Sequence, residues 1–290
     1  MVVAVKALAC ALPAELGLPF SRLSCADLAR AAVGQGLVAS ISGTTVWRWL
    51  SAEAIKPWSY RSWVSPRDPC FAERAGRVLD LYQGHWEGEP LGDDDYVLCA
   101  DEKTQIQALR RTAAGPVAPG RTRRVESDYS REGTLAYLAA WDVRRARVFG
   151  LCEAKTGIEP FHHLVDLVMR QAPYCAARRV FWITDNGSSH RGQRSAERLA
   201  SWYIQATEVH TPVHASWLNQ MEIYFSVVQR KVLMPNEFHD LVALRSCLLD
   251  FQDYYGKIAQ PFEWRFTRDD LHRLLQRLGL YEPQPPRQAA

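Results

Sequence analysis

Arg179-Val180-Phe181-Trp182-Ile183-Thr184 runs directly into Asp185-Asn186-Gly187, and the reading of the whole chain turns on that junction. Six residues dominated by β-branched and aromatic side chains, closed by turn-forming residues, have the composition of a buried strand. In an open α/β sheet, ligands bind in the crevice beyond the carboxyl ends of the strands. A carboxylate placed there is costly to bury unless a cation faces it. A single Asp in such a position is often only a helix cap. The same pattern recurs upstream, where Tyr96-Val97-Leu98-Cys99-Ala100 leads into Asp101.

The flanking elements supply an order. Thr134–Trp141 and Arg147–Leu151 are expected to be strands that pair antiparallel, and Pro160–Gln171 a helix. After the Arg179–Thr184 strand come a helix over His190–Ala200, a short strand over Tyr203–Val209, and a helix over Trp217–Val232 capped by Ser216. Helical sequence from Asp240 to Leu278 follows. Three strands, then helix, strand, helix, strand, helix is the order of a ribonuclease-H-like fold. The larger domain is therefore expected to be α/β, a mixed five-stranded sheet with flanking helices over residues 93–282, ending in a tail at 283–290.

Glu222 lies on the Trp217–Val232 helix. Leu218, Met221, Phe225 and Val228 form its apolar stripe, and Glu222 sits on the flank with Asn219 and Ser226, directed along the rim where the two strands end. An alternative reading makes Glu222 a boundary residue paired with Arg230 or Lys231. Three carboxylates around one crevice suit phosphoryl transfer on DNA. Two Mg²⁺ ions about 4 Å apart clamp the attacking and leaving oxygens of a scissile phosphate. Mg²⁺ accepts a few carboxylates and keeps its waters, and Mn²⁺ can replace it.

Upstream, residues 1–65 read as an all-α region. Met1–Leu12 is apolar, but its one charge, Lys6, lies inside the run, so a buried helix is expected rather than a signal peptide. Ser24-Cys25-Ala26-Asp27 is a capping box, Gly34 and Gly36 break the helix it starts, and a second helix begins near Ser42. Val46, Trp49 and Leu50 share one side of that helix, which leaves Thr44, Thr45 and Arg48 as candidate DNA contacts of a helix-turn-helix. A plain structural helix pair is the other reading. Pro57 to Pro69 is an aromatic and basic connector, and residues 66–92 are expected to form a linker with one amphipathic helix, Phe71–Tyr82.

Composition narrows the classes. With 47% hydrophobic and 23% charged residues among 290, the chain has the make-up of a soluble globular protein, and no apolar run reaches membrane-spanning length. Seven scattered cysteines with no Cys-x-x-Cys pair indicate neither zinc nor a disulfide framework, which fits a reducing cytoplasm. The net charge of +3 is too small to argue for nucleic acid. From Lys103 to Arg124, however, the chain carries Lys103, Arg110, Arg111, Arg121, Arg123 and Arg124 with no acidic residue, and its Pro and Gly residues predict a loop. Beside a phosphodiester site, Arg121, Arg123 and Arg124 become a candidate backbone clamp, although such a loop is more commonly only solvated.

The three acidic blocks, Asp101-Glu102-Lys103-Thr104-Gln105-Ile106-Gln107, Ile183-Thr184-Asp185-Asn186-Gly187-Ser188-Ser189-His190 and His210-Thr211-Pro212-Val213-His214-Ala215-Ser216-Trp217-Leu218-Asn219-Gln220-Met221-Glu222, closely resemble those of bacterial insertion-sequence DDE transposases related to the mariner superfamily. The resemblance extends through the helix ending Val46-Trp47-Arg48-Trp49-Leu50 and the Pro57-Trp58-Ser59-Tyr60 connector. It implies a metal-binding catalytic triad of Asp101, Asp185 and Glu222, and cut-and-paste movement of an element bounded by terminal inverted repeats. It also implies a dimer on double-stranded DNA. Asn186, His190 and Asn219 match positions in the same blocks and are expected to be supporting residues, His190 equally as a residue packed at the start of its helix. Members of this family usually carry a further N-terminal helix-turn-helix, so a shortened copy is expected here. Other readings are a two-metal nuclease of the same fold, and a transposase-derived DNA-binding protein without activity. Loss of a triad carboxylate would favour the last, and all three are present.

Overall fold

The computed structural model describes residues 1–19, 21–52, 56–57, 68–111, 120, 125–187 and 189–279. The chain forms two compact units, Met1–Ser65 and Pro66–Ala290.

The first unit is helical. It contains α1 (Val2–Cys10), α2 (Cys25–Gly34) and α3 (Gly43–Ala52), with a short 3-10 turn at Pro13–Leu16. The capping box holds: the Ser24 side chain accepts from Asp27 N at 3.1 Å, while the Asp27 carboxylate accepts from Ser24 N at 2.9 Å. Val5, Leu8, Leu28, Ala32, Val46 and Leu50 form its core. α1 buries one face only, since Val3 is exposed. On α3, Thr44 and Arg48 face solvent as expected, whereas the Thr45 hydroxyl lies 3.0 Å from that of Ser42.

The second unit begins with α4 (Phe71–Tyr82), followed by the two-residue strands β1 (His85–Trp86) and β2 (Glu89–Pro90). Phe71, Ala75, Val78 and Leu79 place α4 in the main core of this unit. The sheet comprises β3 (Asp95–Arg110), β4 (Ser130–Asp142), β5 (Arg147–Glu153), β6 (Arg179–Thr184) and β7 (Ala206–His210), in the order β5-β4-β3-β6-β7. β3 pairs antiparallel with β4, and β4 with β5, whereas β6 runs parallel to both β3 and β7. This is the mixed five-stranded, ribonuclease-H-like sheet expected from the element order.

Helices α5 (Ile158–Met169), α6 (Gln193–Trp202), α7 (Met221–Lys231), α8 (Leu241–Ile258) and α9 (Arg268–Arg277) complete the unit. Side-chain alternation divides the core in two. Val97, Cys99, Phe181, Ile183 and Val209 face α4, α7, α8 and α9. Tyr96, Leu98, Ala100, Val180, Trp182 and Ala206 face α5 and α6.

Two elements depart furthest from expectation. β3 continues ten residues past Ala100, to Arg110, so the first part of the basic stretch is strand rather than loop. The partner strand makes the difference: β4 continues the ladder through Ile106↔Leu135 and Arg110↔Ser130, across a bulge at which Gln105 takes a left-handed backbone. The Ser216-capped helix is also broken. Ser216–Leu218 forms a 3-10 turn and α7 begins only at Met221, because Asn219 takes its side chain to β3 instead of continuing the helix.

Candidate active site

The β3–β6 register sets the geometry. Asp95 pairs with Arg179 and Cys99 with Ile183; carried two residues further, the same register puts Asp101 beside Asp185. Parallel neighbours lie about 5 Å apart, so the two carboxylates leave adjacent strands side by side. The far end of the ladder is locked by buried Asp95, which accepts hydrogen bonds from Arg178 (2.5 and 3.1 Å) and Arg179 (2.8 and 3.0 Å). These guanidinium groups hold the Asp95 carboxyl well below the usual carboxylate range. A slip of one residue would turn Asp101 onto the other face of the sheet.

By alternation Asp101 and Asp185 project on the α7 side, where Glu222 occupies the first turn of α7. Asn219 couples these parts. Its buried amide donates to Ala100 O at 2.9 Å, its side-chain oxygen accepts from Met221 N at 3.0 Å, and its carbonyl accepts from Glu222 N at 3.1 Å. One side chain thus fixes the helix start bearing Glu222 against the strand residue preceding Asp101. Tyr82 supports the turn from below, donating to Leu218 O at 2.6 Å. Arg230 turns to Ser226, and among the described residues Glu222, exposed on the rim, has no cationic partner.

Asp185 accepts from Gly187 N at 2.7 Å, and a Cβ at Gly187 would come within 2.8 Å of the same carboxylate oxygen. Asn186 donates to Thr211 O at 2.6 Å and ties this turn to the segment after β7.

Burial pushes the half-buried Asp101 carboxyl up to about 7, and the negative charges of Asp185, Glu102 and Glu222 add to this rise against the Glu102 N–H donated to it at 2.7 Å. All three acids stand on the same side of the sheet, and the pull of the other charges on Asp101 agrees with that placement. Among the described residues, no three His, Cys, Asp or Glu side chains already stand in a metal-coordinating group. The donor chemistry nevertheless fits a hard divalent cation: oxygen ligands only, in excess negative charge that a cation would relieve.

Residues 96–245, just over half of the chain, match the family of DDE superfamily endonucleases. The chain belongs to that family. Solved structures agree at the level of fold. A Mos1 mariner paired-end complex with Mn superimposes with a TM-score of 0.53 and 15% identity, over 96% of this chain and 77% of that one. The paired-end complex with Mg gives 0.55 and 14%, over 98% and 80%. A Mos1 strand transfer complex gives 0.51 and 14%, over 96% and 76%. No curated protein matches in sequence. No helix among the described residues of this DDE-family chain is long and apolar enough to cross a membrane.

Of the remaining candidates, Asn219 and Asn186 bond to backbone groups next to the three acidic residues, as described. His190 precedes α6, in the turn closed by its own N–H to Gly187 O (3.0 Å), rather than on the helix. Arg121, Arg123 and Arg124 lie outside the described residues. Arg111, in the same basic stretch, is committed to Glu126 O and Asn236 O. Sequence reasoning passed over Glu102 and Glu208, which meet His190 behind the triad. The one signal in the sequence was an acidic residue at an inward position of a short apolar strand, Glu208 between Ala206 and Val209.

Proposed function

We propose that the chain is a transposase that cuts DNA at the ends of a mobile element and joins the freed end to target DNA. The convergence of Asp101, Asp185 and Glu222 within a DDE-family domain carries this reading. The fold likeness to Mos1 complexes, solved with Mn, with Mg and as a strand transfer complex, supports it. Asp101, Asp185 and Glu222 would hold two Mg²⁺ ions, replaceable by Mn²⁺. When bound, these ions stabilise charge on the attacking and leaving oxygens.

In the first step a water oxygen bonds to phosphorus while the P–O3′ bond breaks; water gives a proton to solvent and the 3′ oxygen leaves as a hydroxyl. In the second step that 3′ oxygen, its proton lost, bonds to a target phosphorus as the target's own P–O3′ bond breaks. Asn219 and the Gly187 turn keep the three carboxylates in register for both steps. Substrates are double-stranded DNA with terminal inverted repeats and a target duplex, engaged by a homodimer.

The test uses duplexes taken from the DNA flanking the gene, with Mg²⁺ or Mn²⁺. Cleavage at the repeat ends together with joined products is expected. Metal-dependent nicking without joining would replace the transposase with a nuclease of the same fold, and no cleavage would leave a DNA-binding protein.

Recognition falls to Thr44, Thr45 and Arg48 on α3, with Arg121, Arg123 and Arg124 clamping backbone phosphates. Neutralising the three arginines together should weaken duplex binding whatever the sequence, and flatten the logarithmic salt slope by roughly one unit per lost phosphate contact. Filter binding across a salt series reads both quantities; an unchanged slope would remove the loop from the interface.

A further inference from the structure

The sheet face opposite the triad carries a second polar cluster. Alternation turns Glu102, Thr184, Glu208 and His210 onto the α5–α6 side, away from Asp101 and Asp185. There Glu102 Oε1 lies 2.8 Å from His190 Nε2 and accepts the Ser189 hydroxyl at 3.3 Å. His190 Nδ1 faces Glu208 Oε1 at 3.8 Å, and that oxygen accepts the Thr184 hydroxyl at 3.1 Å. His210 Nε2 lies 2.6 Å from the His190 carbonyl, which can only accept, so this nitrogen carries a proton; Glu208 Oε2 stands 3.7 Å from it. The Glu208 side chain is wholly buried, His190 is 2% exposed, and the Phe161 ring packs edge-on against the imidazole at 4.1 Å. Burial pulls the His190 imidazole down, but Glu102, Glu208 and Asp185 outweigh it and leave its pKa raised.

Such a cluster is an expensive way to fill a core. Replacing buried ionic groups by apolar residues of similar volume is often neutral or stabilising. Two bonds here remain incomplete, since His190 Nδ1 and Glu208 Oε2 are buried without a hydrogen-bond partner. What the cluster does hold is position. Glu102 is the neighbour of Asp101 through one planar peptide, Thr184 is the neighbour of Asp185, and Ser189 and His190 close the turn that Asp185 opens. A shift of the Glu102 backbone towards or away from His190 would move the peptide that it shares with Asp101.

We propose that Glu102, His190 and Glu208 are positioning residues: from behind the sheet they aim Asp101 and Asp185 at the metal site. This rests on the reading of Asp101, Asp185 and Glu222 as metal-holding carboxylates. The cluster plays the part that outer hydrogen-bond partners play around metal ligands, here through the backbone instead of through the ligand side chain.

The test is Mn²⁺ binding to the full chain without DNA, followed by electron paramagnetic resonance of the free ion, with circular dichroism to verify folding. Glu102→Ala should weaken Mn²⁺ binding about tenfold. Glu102→Gln keeps an acceptor for His190 Nε2 and should recover most of the affinity. With saturating metal, cleavage by Glu102→Ala should regain most of its rate, so that the loss appears in the activation constant. Thr184→Val and Ser189→Ala each remove one hydrogen bond without opening a cavity; if Glu102→Ala does not fold, these carry the test, with an expected weakening of about threefold. Folded variants that bind Mn²⁺ as wild type does would overturn the proposal. So would Glu102→Gln as weak as Glu102→Ala, since the charge of Glu102 would then be acting on the metal directly. Asp185→Asn separates the two readings: if it binds Mn²⁺ undiminished, the metal-holding triad fails and the positioning role fails with it, whereas a loss confined to Asp185→Asn overturns the positioning role alone.

Discussion

Asp185→Asn is expected to abolish metal-dependent DNA cleavage, by on the order of a thousandfold or more, and to leave the fold intact. The size follows from what is removed: stabilisation of charge at the reacting phosphate amounts to several kcal/mol, and each 1.4 kcal/mol is about tenfold in rate. The intact fold follows from which atoms remain. Asp185 uses Oδ1 locally to accept from Gly187 N, and an Asn retains an oxygen there of nearly the same shape. Asn186 still reaches Thr211 O and the strand before it is unaltered. Alanine is the poorer probe, because it strands the Gly187 amide and confuses loss of a ligand with loss of the turn. The measurement is a single-turnover cleavage time course with Mn²⁺, alongside thermal denaturation of the same preparation. Cleavage within tenfold of wild type, with an unchanged melting temperature, would take Asp185 out of the chemistry.

Much of this site was legible because strands that end in a carboxylate announce themselves locally. The RVFWIT segment occupies Arg179–Thr184 as expected, and it pairs with the apolar first part of β3, Asp95–Cys99. Glu222 was placed on the flank of an apolar stripe, yet the helix that carries it starts at Met221, four residues later than expected. Periodicity reports which face is apolar; it does not report that Asn219 will donate to Ala100 O, 119 residues away in sequence. β3 was underestimated for the same reason. Its outer half is held by β4 and by Asn236, which donates to Gln107 O and accepts from Leu109 N, and none of these contacts is local. The cluster behind the triad was the hardest to see. Glu102, His190 and Glu208 come from three separate elements, and only the alternation of the strands turns them towards one another.

Without divalent metal, the second unit should lose stability as pH rises from about 5 to 8, and Mn²⁺ should reverse the trend. Asp101 sets the sign. Its folded pKa of about 7 lies above the ordinary value of 3.8, so between these limits the folded state binds the extra proton and stability falls with rising pH. His190 acts in the same direction, because its raised pKa gives stability at acid pH that fades as the proton leaves. Asp95 runs the other way, but its pKa is depressed and its contribution is already complete well below pH 5. For a fully isolated carboxyl, a rise from 3.8 to about 7 corresponds to about 4 kcal/mol. For a half-buried carboxylate in an open crevice, about 1–2 kcal/mol is the reasonable scale, or roughly 2–8 °C in melting temperature for a unit of this size. A bound cation favours the ionised form, so the rise in melting temperature on adding Mn²⁺ should be larger at pH 8 than at pH 6. Asp101→Asn removes the repulsion outright and should melt higher than wild type in chelator at pH 8 while responding little to Mn²⁺. Scanning calorimetry at both pH values, with chelator and with Mn²⁺, checks all of this; a metal-free wild type equally stable at pH 6 and pH 8, and no hardier as Asp101→Asn, would mean that the three carboxylates do not burden one another and that their convergence is not the electrostatic trap a cation would fill.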